Sequence, residues 1–483
     1  MNLGGQDEQG TTDAGSASRG PGSVWRRASG VLLGSYAPAL LGPDRVREAF
    51  EFQFKKDALG HRIHTVVAMV SLVGICGPTV VAELALIPLT AYSAIRVLNV
   101  WRCWVVAALS PVGLMMIAFA LWAWLSLLWT RDPVQGLDEA LNTRWIFLPG
   151  MLWPVLDQRR KLIAALIVGM LCANAAQVVH AIGVRFDVPE LRFPRMPDRN
   201  SAWWYPVVGG CMLTAALGLH LPAAVMGRGR TRAIGAAGAL VTLVAILATG
   251  TRGAMLASAA LVGLTVLVAL VRAVRHGGFS RRRALVSVSA GLLAVIAAGA
   301  VMGPGLARRF EAARHDLGRA IDAKDFNTDT GARLLMGWKA IEATAAHPLI
   351  GVGIGGYSAW SRADLERQGI DPDARSIHAH AHNAYVHIPA ALGVPALGLA
   401  LLTLVAALAG GRKAGIDGDR RMRCIDMGTY DAGPMFALMG LALVAMFDPL
   451  VTNMPTTALL CALMGLCVMP RPSEEKRLTT EGH

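Results

Sequence analysis

The sequence carries little charge for its length. Only 16% of the 483 residues are Asp, Glu, Lys or Arg, whereas 54% are hydrophobic, and the mean hydropathy is +0.46. Soluble globular proteins carry about 25% charged residues. The composition therefore excludes an ordinary soluble protein of this size and predicts one that lies in a bilayer.

The sequence also lacks an early apolar segment and outward-facing cysteines. Residues 1–30 are polar and rich in Gly and Ser, so they have no apolar core of a cleavable signal peptide and are expected to form a disordered tail. The outward loops are expected to fold without disulfides, because all seven cysteines fall in predicted spans or at their cytoplasmic ends: Cys76, Cys103, Cys172, Cys211, Cys424, Cys461 and Cys467.

Long apolar runs are abundant instead. A helix needs about 20 apolar residues to cross a bilayer. Runs of this kind occur near residues 63–79, 80–95, 105–129, 143–156, 162–184, 203–226, 233–249, 253–271, 284–303, 382–409, 432–448 and 455–470, and the one at 143–156 is short. They predict an all-α polytopic membrane protein with about twelve transmembrane helices.

Lys and Arg set the expected orientation, because short basic loops stay in the cytoplasm. Twelve spans with both ends cytoplasmic satisfy all the basic loops, which are Arg96–Arg102, Asp157–Lys161, Gly227–Arg232, Arg272–Arg283 and Gly411–Arg423. The net charge of +13 is explained by these loops and by the anionic lipid they face. Nucleic acid is therefore not expected as a partner.

This topology divides the chain into five parts. The expected order is a cytoplasmic tail and interfacial segment at 1–60, nine spans at 61–303, a large and partly helical outward loop at 304–381, three spans at 382–470 and a cytoplasmic tail at 471–483.

Arginines in two outward loops are not required by the orientation rule. The segment Arg185–Trp204 contains four arginines and three prolines, and Arg195 and Arg199 stand near its end. The turn Ala248–Ala257 places Arg252 between Thr251 and Gly253, at the start of the next helix. A single arginine at a membrane edge can simply reach the lipid headgroups. Two such loops favour recognition of phosphate, for which the guanidinium fork and a helix N-terminus are suited.

The outward loop at 304–381 contains a predicted amphipathic helix. Thr328–Thr330 are capping residues, and Leu334, Leu335, Trp338 and Ile341 follow at helical spacing. The helix is expected to end near His347 and Pro348 and to form a lid on the membrane face. The glycine run Gly351–Tyr357 has no preceding strand, so a flexible or close-packed turn is favoured over a nucleotide loop.

Three alternating histidines follow this loop. An extended chain would present His378, His380 and His382 on one side, whereas a helix would align only His378 with His382. A zinc site, a general base and interfacial polar residues all remain open. Zinc is the weaker choice, because no nearby Cys, Asp or Glu completes an obvious set of ligands.

Three patterns together resemble the bacterial O-antigen ligase family, whose superfamily also contains O-antigen polymerases and protein O-oligosaccharyltransferases. They are Thr249–Ala254 (TGTRGA), the block Gly331–Tyr357, and His382-Asn383 with Gly393 beyond it. The resemblance implies a metal-independent, inverting glycosyltransferase without a cofactor. Its donor would be a glycan on undecaprenyl diphosphate, its acceptor the lipid A-core oligosaccharide, and its place the bacterial inner membrane, with the active site facing the periplasm.

The resemblance also implies roles for individual residues. His382 would be the catalytic base, because it matches the His-Asn motif of the family, with Asn383, His380 and His378 in support. The donor diphosphate would be bound by arginines, namely Arg252, Arg199, Arg195 and Arg333. No metal is expected.

Alternatives of two kinds stay open. Polymerases usually show two sizeable outward loops and the protein oligosaccharyltransferases a C-terminal outward domain, so the single large loop favours a ligase. A transporter with Arg252 lining an anion route is a different class, although the sequence shows no convincing internal repeat and no cluster of acidic residues in the middle of the spans. Glu83 and Asp448, both near helix ends, have no assigned role.

Overall fold

The regular structure is helical. The computed structural model describes residues 43–193, 202–276, 311–322, 325–372, 377–412, 430–448 and 450–468, and no strand occurs among them. In chain order the helices are α1 (Pro43–Lys56), α2 (Ala58–Gly74), α3 (Thr79–Ile95), α4 (Val97–Leu109), α5 (Pro111–Leu125), α6 (Pro133–Asn142), α7 (Leu148–Leu152), α8 (Arg159–Arg185), α9 (Pro206–Met226), α10 (Gly229–Thr249), α11 (Arg252–His276), α12 (Asp329–Ala346), α13 (Tyr357–Arg367), α14 (Ala384–Leu392), α15 (Val394–Arg412), α16 (Gly433–Val444) and α17 (Met454–Val468).

Several of these helices can cross a membrane. Within the described residues six helical segments are long and apolar enough, and a bent pair makes a seventh; α2, α16 and α17 are apolar but shorter. The chain is therefore a multi-pass membrane protein, and the part of it that the structure describes is all-helical. The count of twelve spans and the division into five parts stay predictions, and the predicted span at 284–303 lies outside the described residues.

Three parts of the predicted span pattern need correction. The basic segment Arg96–Arg102, predicted as a loop, runs into helix α4, which is bent by 105° from α3. Arg96 is buried at that bend and donates to Asp57 Oδ2 at 2.8 Å. The short run at 143–156 is a chain of 3₁₀ turns around α7 rather than one helix. The run at 382–409 is two helices, α14 and α15.

Helix α9 is the centre of the bundle. Of its apolar, membrane-spanning segment, 89% is buried inside the protein. The helix packs against α10, α11 and α16. Small residues make this possible: a Cβ on Gly218 would lie 2.5 Å from the Phe436 carbonyl oxygen. Close approach of backbones at glycine is the usual way in which membrane helices pack.

Polar pairs join distant segments of the bundle. Arg159 is buried and donates from Nη1 to Asp431 Oδ1 at 3.1 Å and from Nε to the Leu466 carbonyl at 2.7 Å. Glu83, which had no assigned role, pairs with Arg144 at 3.0 Å. These contacts are structural, because they join segments that are far apart in the chain.

The break between α14 and α15 falls at Gly393, whose φ is +83°. Its missing side chain is essential there, because a Cβ would lie 2.2 Å from the Leu349 carbonyl oxygen. The Ala390 and Ala391 carbonyls accept hydrogen bonds from Val352 N and Gly353 N, each at 2.9 Å. In a membrane, helix breaks persist only where such backbone groups find partners.

The glycine run supplies these partners, and it is the close-packed turn that the sequence favoured. Gly351, Gly353 and Gly355 all have positive φ. A Cβ on Gly353 would lie 2.6 Å from Thr130 Cα, and Ile354 N donates to Ser126 Oγ at 3.0 Å. The run therefore fills the space between the broken helix and the segment that follows α5.

We expect Gly393→Ala to destabilise the protein by about 1–3 kcal/mol or more, because Ala at positive φ is strained and its Cβ meets backbone. The measurement is the midpoint of thermal unfolding of purified protein in detergent. Gly398→Ala is the matched control, since it lies in α15 with no atom within 4 Å of an added Cβ. Equal midpoints for the two variants would contradict the proposed role of the break.

The orientation can be tested by labelling single cysteines. Glu366 in α13 and Arg230 in α10 are both exposed, and the orientation rule places Glu366 outside and Arg230 in the cytoplasm. A membrane-impermeant maleimide should label Glu366→Cys in intact cells and Arg230→Cys only after the cells are opened. The opposite pattern would invert the topology.

Candidate active site

A polar cleft lies at one end of the bundle. Its volume is about 600 Å³, including the part open to solvent, and its charged lining residues are Arg252, Arg333 and Asp448. They come from three separate segments: the start of α11, the first turns of α12 and the loop after α16. The structure thus brings together two arginines predicted as ligands of the diphosphate.

Arg252 follows a tight turn that fixes where its helix begins. Helix α10 ends at Thr249, and Gly250 takes the left-handed conformation at φ +64°. Thr251 Oγ1 donates to the Pro206 carbonyl at 2.9 Å, and Thr249 Oγ1 accepts from Thr251 N at 3.2 Å. The turn therefore lines the cleft with the N-terminal end of α11, which carries a partial positive charge suited to an anion.

Arg333 reaches the cleft from a different direction. Helix α12 is capped by Thr328, whose Oγ1 accepts from Gly331 N at 3.0 Å, and it ends at Ala346 with His347 as its cap. Both ends agree with the prediction. Arg333 is in the second turn of this helix, and it lines the cleft.

His382 stands directly before helix α14 in an unusual backbone conformation. Its φ is +50°, which a non-glycine residue adopts at a cost of about 1–3 kcal/mol. Asn383 caps the helix by accepting from Tyr385 N at 2.9 Å, and Ala384 N donates to the Ala445 carbonyl at 2.8 Å. These contacts hold the strained residue against the end of α16.

Asp448 is the partner of His382 and the residue that sequence reasoning missed. His382 Nδ1 lies 3.8 Å from Asp448 Oδ1, a charge contact longer than a hydrogen bond. The carboxylate is buried and accepts from Cys211 Sγ through Oδ2 at 3.7 Å. The available signal was an acid without an obvious partner at the end of an apolar run.

His378 and His380 surround His382. Their ring centroids lie 5.5 and 5.7 Å from that of His382. Burial, together with the neighbouring His382, lowers the pKa of His380 to about 4. The pKa of His378 is lowered by burial, by His382 and by Arg333. Both rings are thus biased towards the neutral form, which fits a supporting role.

The geometry gives no support to the zinc alternative. Within the segments that the structure describes, no group of three or more His, Cys, Asp and Glu side chains is arranged to hold a metal ion. The T-shaped ring contacts of His378 and His380 with His382 are packing contacts.

Arg195 and Arg199 lie outside the described residues. The chain on both sides of them is fixed to α8: Phe193 N donates to His180 Nδ1 at 2.8 Å, and Ala202 N donates to Gln177 Oε1 at 3.0 Å. Val207, shortly afterwards, lines the cleft. The assignment of Arg195 and Arg199 to the donor diphosphate stays a prediction.

An apolar groove lies beside α14. It encloses about 990 Å³ including its open part, and Tyr385, Ile388 and Ala445 line its near end. A second apolar cavity of about 950 Å³ shares Met116, Ile146 and Met464 with it. Apolar space therefore extends from the neighbourhood of His382 into the bundle.

The fold and the cleft define a multi-pass membrane protein with an arginine-lined site at one end of its helices, where Asp448 links the cleft to His382. Residues 237–401, about a third of the chain, match the family model described as O-antigen ligase. The family resemblance is thereby confirmed, and the matched segment contains Arg252, Arg333, His382 and Asn383. A comparison with curated proteins gives no match. Asp448 lies outside the matched segment.

Proposed function

We propose that the protein is an O-antigen ligase. It would transfer O-antigen polysaccharide from undecaprenyl diphosphate to the lipid A-core oligosaccharide at the periplasmic face of the bacterial inner membrane. The family match supports a glycosyltransferase of the ligase and polymerase superfamily. The observation that carries the mechanism is the cleft in which Arg252 and Arg333 meet Asp448, the partner of His382.

In the proposed reaction, a hydroxyl oxygen of the acceptor sugar attacks the anomeric carbon of the donor. The new glycosidic bond forms as the bond to the diphosphate oxygen breaks, so the configuration inverts. His382 accepts the proton of the hydroxyl, and the bond electrons leave with the diphosphate. No covalent intermediate is needed.

Asp448 suits the charge that this step creates. When His382 takes up a proton it becomes a cation, and a carboxylate 3.8 Å from its Nδ1 stabilises that cation. Burial of Asp448 strengthens the attraction, because few waters screen it. Cys211 holds the other carboxylate oxygen, which leaves Oδ1 towards the ring.

The two arginines suit the leaving group. A diphosphate carries several oxygens that accept from guanidinium forks, and Arg252 adds the helix end beside it. Arg195 and Arg199 remain further candidates. The apolar groove beside Tyr385 offers space for the isoprenoid chain of the donor, which must leave the polar cleft for the membrane.

The transporter alternative is weakened by the way in which the helix break is filled. Transporters use the free backbone groups of broken helices to bind substrates and ions. Here the freed carbonyls of Ala390 and Ala391 accept from Val352 and Gly353, and the Leu392 carbonyl accepts from Trp122 Nε1 at 2.7 Å. The carbonyls at this break are therefore hydrogen-bonded within the protein and do not offer a binding site for a substrate or an ion.

A strain that lacks the gene distinguishes a ligase from a polymerase by the lipid-linked glycan that accumulates. Polymer that accumulates on its lipid carrier supports the ligase, whereas single lipid-linked repeats indicate a polymerase. Normal lipopolysaccharide together with proteins that have lost their glycans would indicate the protein oligosaccharyltransferase instead.

We expect His382→Ala to lower transfer by about 10²–10⁴-fold, the usual contribution of a general base. His378→Ala should be milder, because only His382 occupies the position of the family's His-Asn motif. The assay is purified protein in proteoliposomes with lipid-linked glycan and lipid A-core, with and without EDTA. Activity that is lost with EDTA and restored by zinc would contradict the base and revive the metal site.

We expect Arg252→Lys to lose transfer by roughly ten- to a hundred-fold, as about 1.5 to 3 kcal/mol of charge-assisted bonding is removed. Lysine keeps the charge but not the fork. Arg230→Lys, in the predicted cytoplasmic loop, is the control with the same chemical change. Near-normal transfer by Arg252→Lys would indicate that Arg252 only contacts lipid headgroups.

A further inference from the structure

Helix α12 has a buried inner face that is fully occupied by protein. Leu335, Met336, Ala340 and Ala343 are buried there, and the helix packs against α13 and α14. Lys339 lies on the same face and pairs with Asp364 at 2.7 Å and with Glu342 at 2.8 Å. The inner face thus fixes the rotation of α12 about its axis.

The outer face of α12 is apolar and exposed. Leu334, Trp338 and Ile341 recur at helical spacing with 42%, 61% and 52% of their surface accessible. The stripe continues past the helix into Leu349 and Ile350, at 69% and 43%. Of the four apolar residues that the sequence places at helical spacing, Leu335 is therefore the one that lies on the buried side.

The end of this stripe lies beside the start of a membrane span. Val394 N donates to the Pro348 carbonyl at 2.8 Å, and Gly393 contacts the Leu349 backbone. Val394 is the first residue of α15 and is itself exposed, as are Leu401 and Val405 further along the span. Leu349 and Ile350 therefore adjoin the surface that α15 presents to lipid.

We propose that the outer face of α12 lies in the outer-leaflet interface of the bilayer, with Leu334, Trp338 and Ile341 against the lipid. The stripe is continuous with the exposed apolar surface of α15, which is long and apolar enough to span a membrane, and Trp is the residue preferred at the boundary between headgroups and acyl chains. The binding of this helix to lipid does not depend on the reaction catalysed.

The placement gives α12 two roles in one helix. Arg333 lines the cleft, and Leu334 beside it belongs to the outer stripe. Lipid contact therefore holds Arg333 at the depth of the lipid headgroups, where any lipid-linked anion presents its charge.

The test is a fluorescent label at Trp338. Trp338→Cys carries an NBD group, with Glu366→Cys in the polar helix α13 as the matched exposed control. Both are made in a full-length background with Cys172→Ala and Cys424→Ala, because Cys172 is exposed and Cys424 lies outside the described residues. The labelled proteins are reconstituted into vesicles with and without doxyl-labelled phosphatidylcholine.

We expect blue-shifted NBD emission at position 338 and quenching by doxyl lipid several-fold stronger than at position 366. Equal quenching at the two positions would overturn the proposal. Blue-shifted emission without lipid quenching would also overturn it, since protein rather than lipid would then cover the stripe. Ile341→Cys provides the same readout if Trp338→Cys does not fold.

Discussion

The break at Gly393 imposes the constraint on which the site depends. A bilayer offers no water to backbone carbonyls, so each one that a broken helix releases needs a partner from the protein. Val352, Gly353 and Trp122 supply those partners. The same contacts join both the glycine run and α5 to α14. The segment that carries His382 is therefore held by backbone hydrogen bonds at both ends of a helix of nine residues.

Short, fixed segments explain how a strained residue can persist. His382 has a positive φ, and the surrounding contacts of Asn383 and Ala384 leave it little freedom to relax. Strain of this kind is kept where a side chain must point in one direction. Asp448 is positioned by an independent element, the loop after α16, and the cleft exists because α9 allows that element to pack closely.

Sequence patterns predicted the features that depend on neighbours along the chain. The helical class, the turn before Arg252, the cap at Thr328 and the helix end at His347 all follow from local rules. The break at Gly393 and the bend at Arg96 could not be predicted in this way, because an apolar run has the same sequence pattern whether its helix is straight or interrupted. Asp448 was not recognised as part of the site, because its meeting with His382 depends on packing between α14 and α16. The exposed and buried sides of α12 likewise depend on what α13 and α14 cover.

The low pKa of His380 determines how the charge near the cleft responds to pH. Its ring gains charge only as the pH falls towards 4. Guanidinium groups stay charged throughout the range in which cells live. The positive potential that Arg252 and Arg333 offer to an anion therefore receives no contribution from His380 at neutral or mildly acidic pH. Guanidinium-based recognition of an anion therefore tolerates acidification that would alter recognition built from imidazoles.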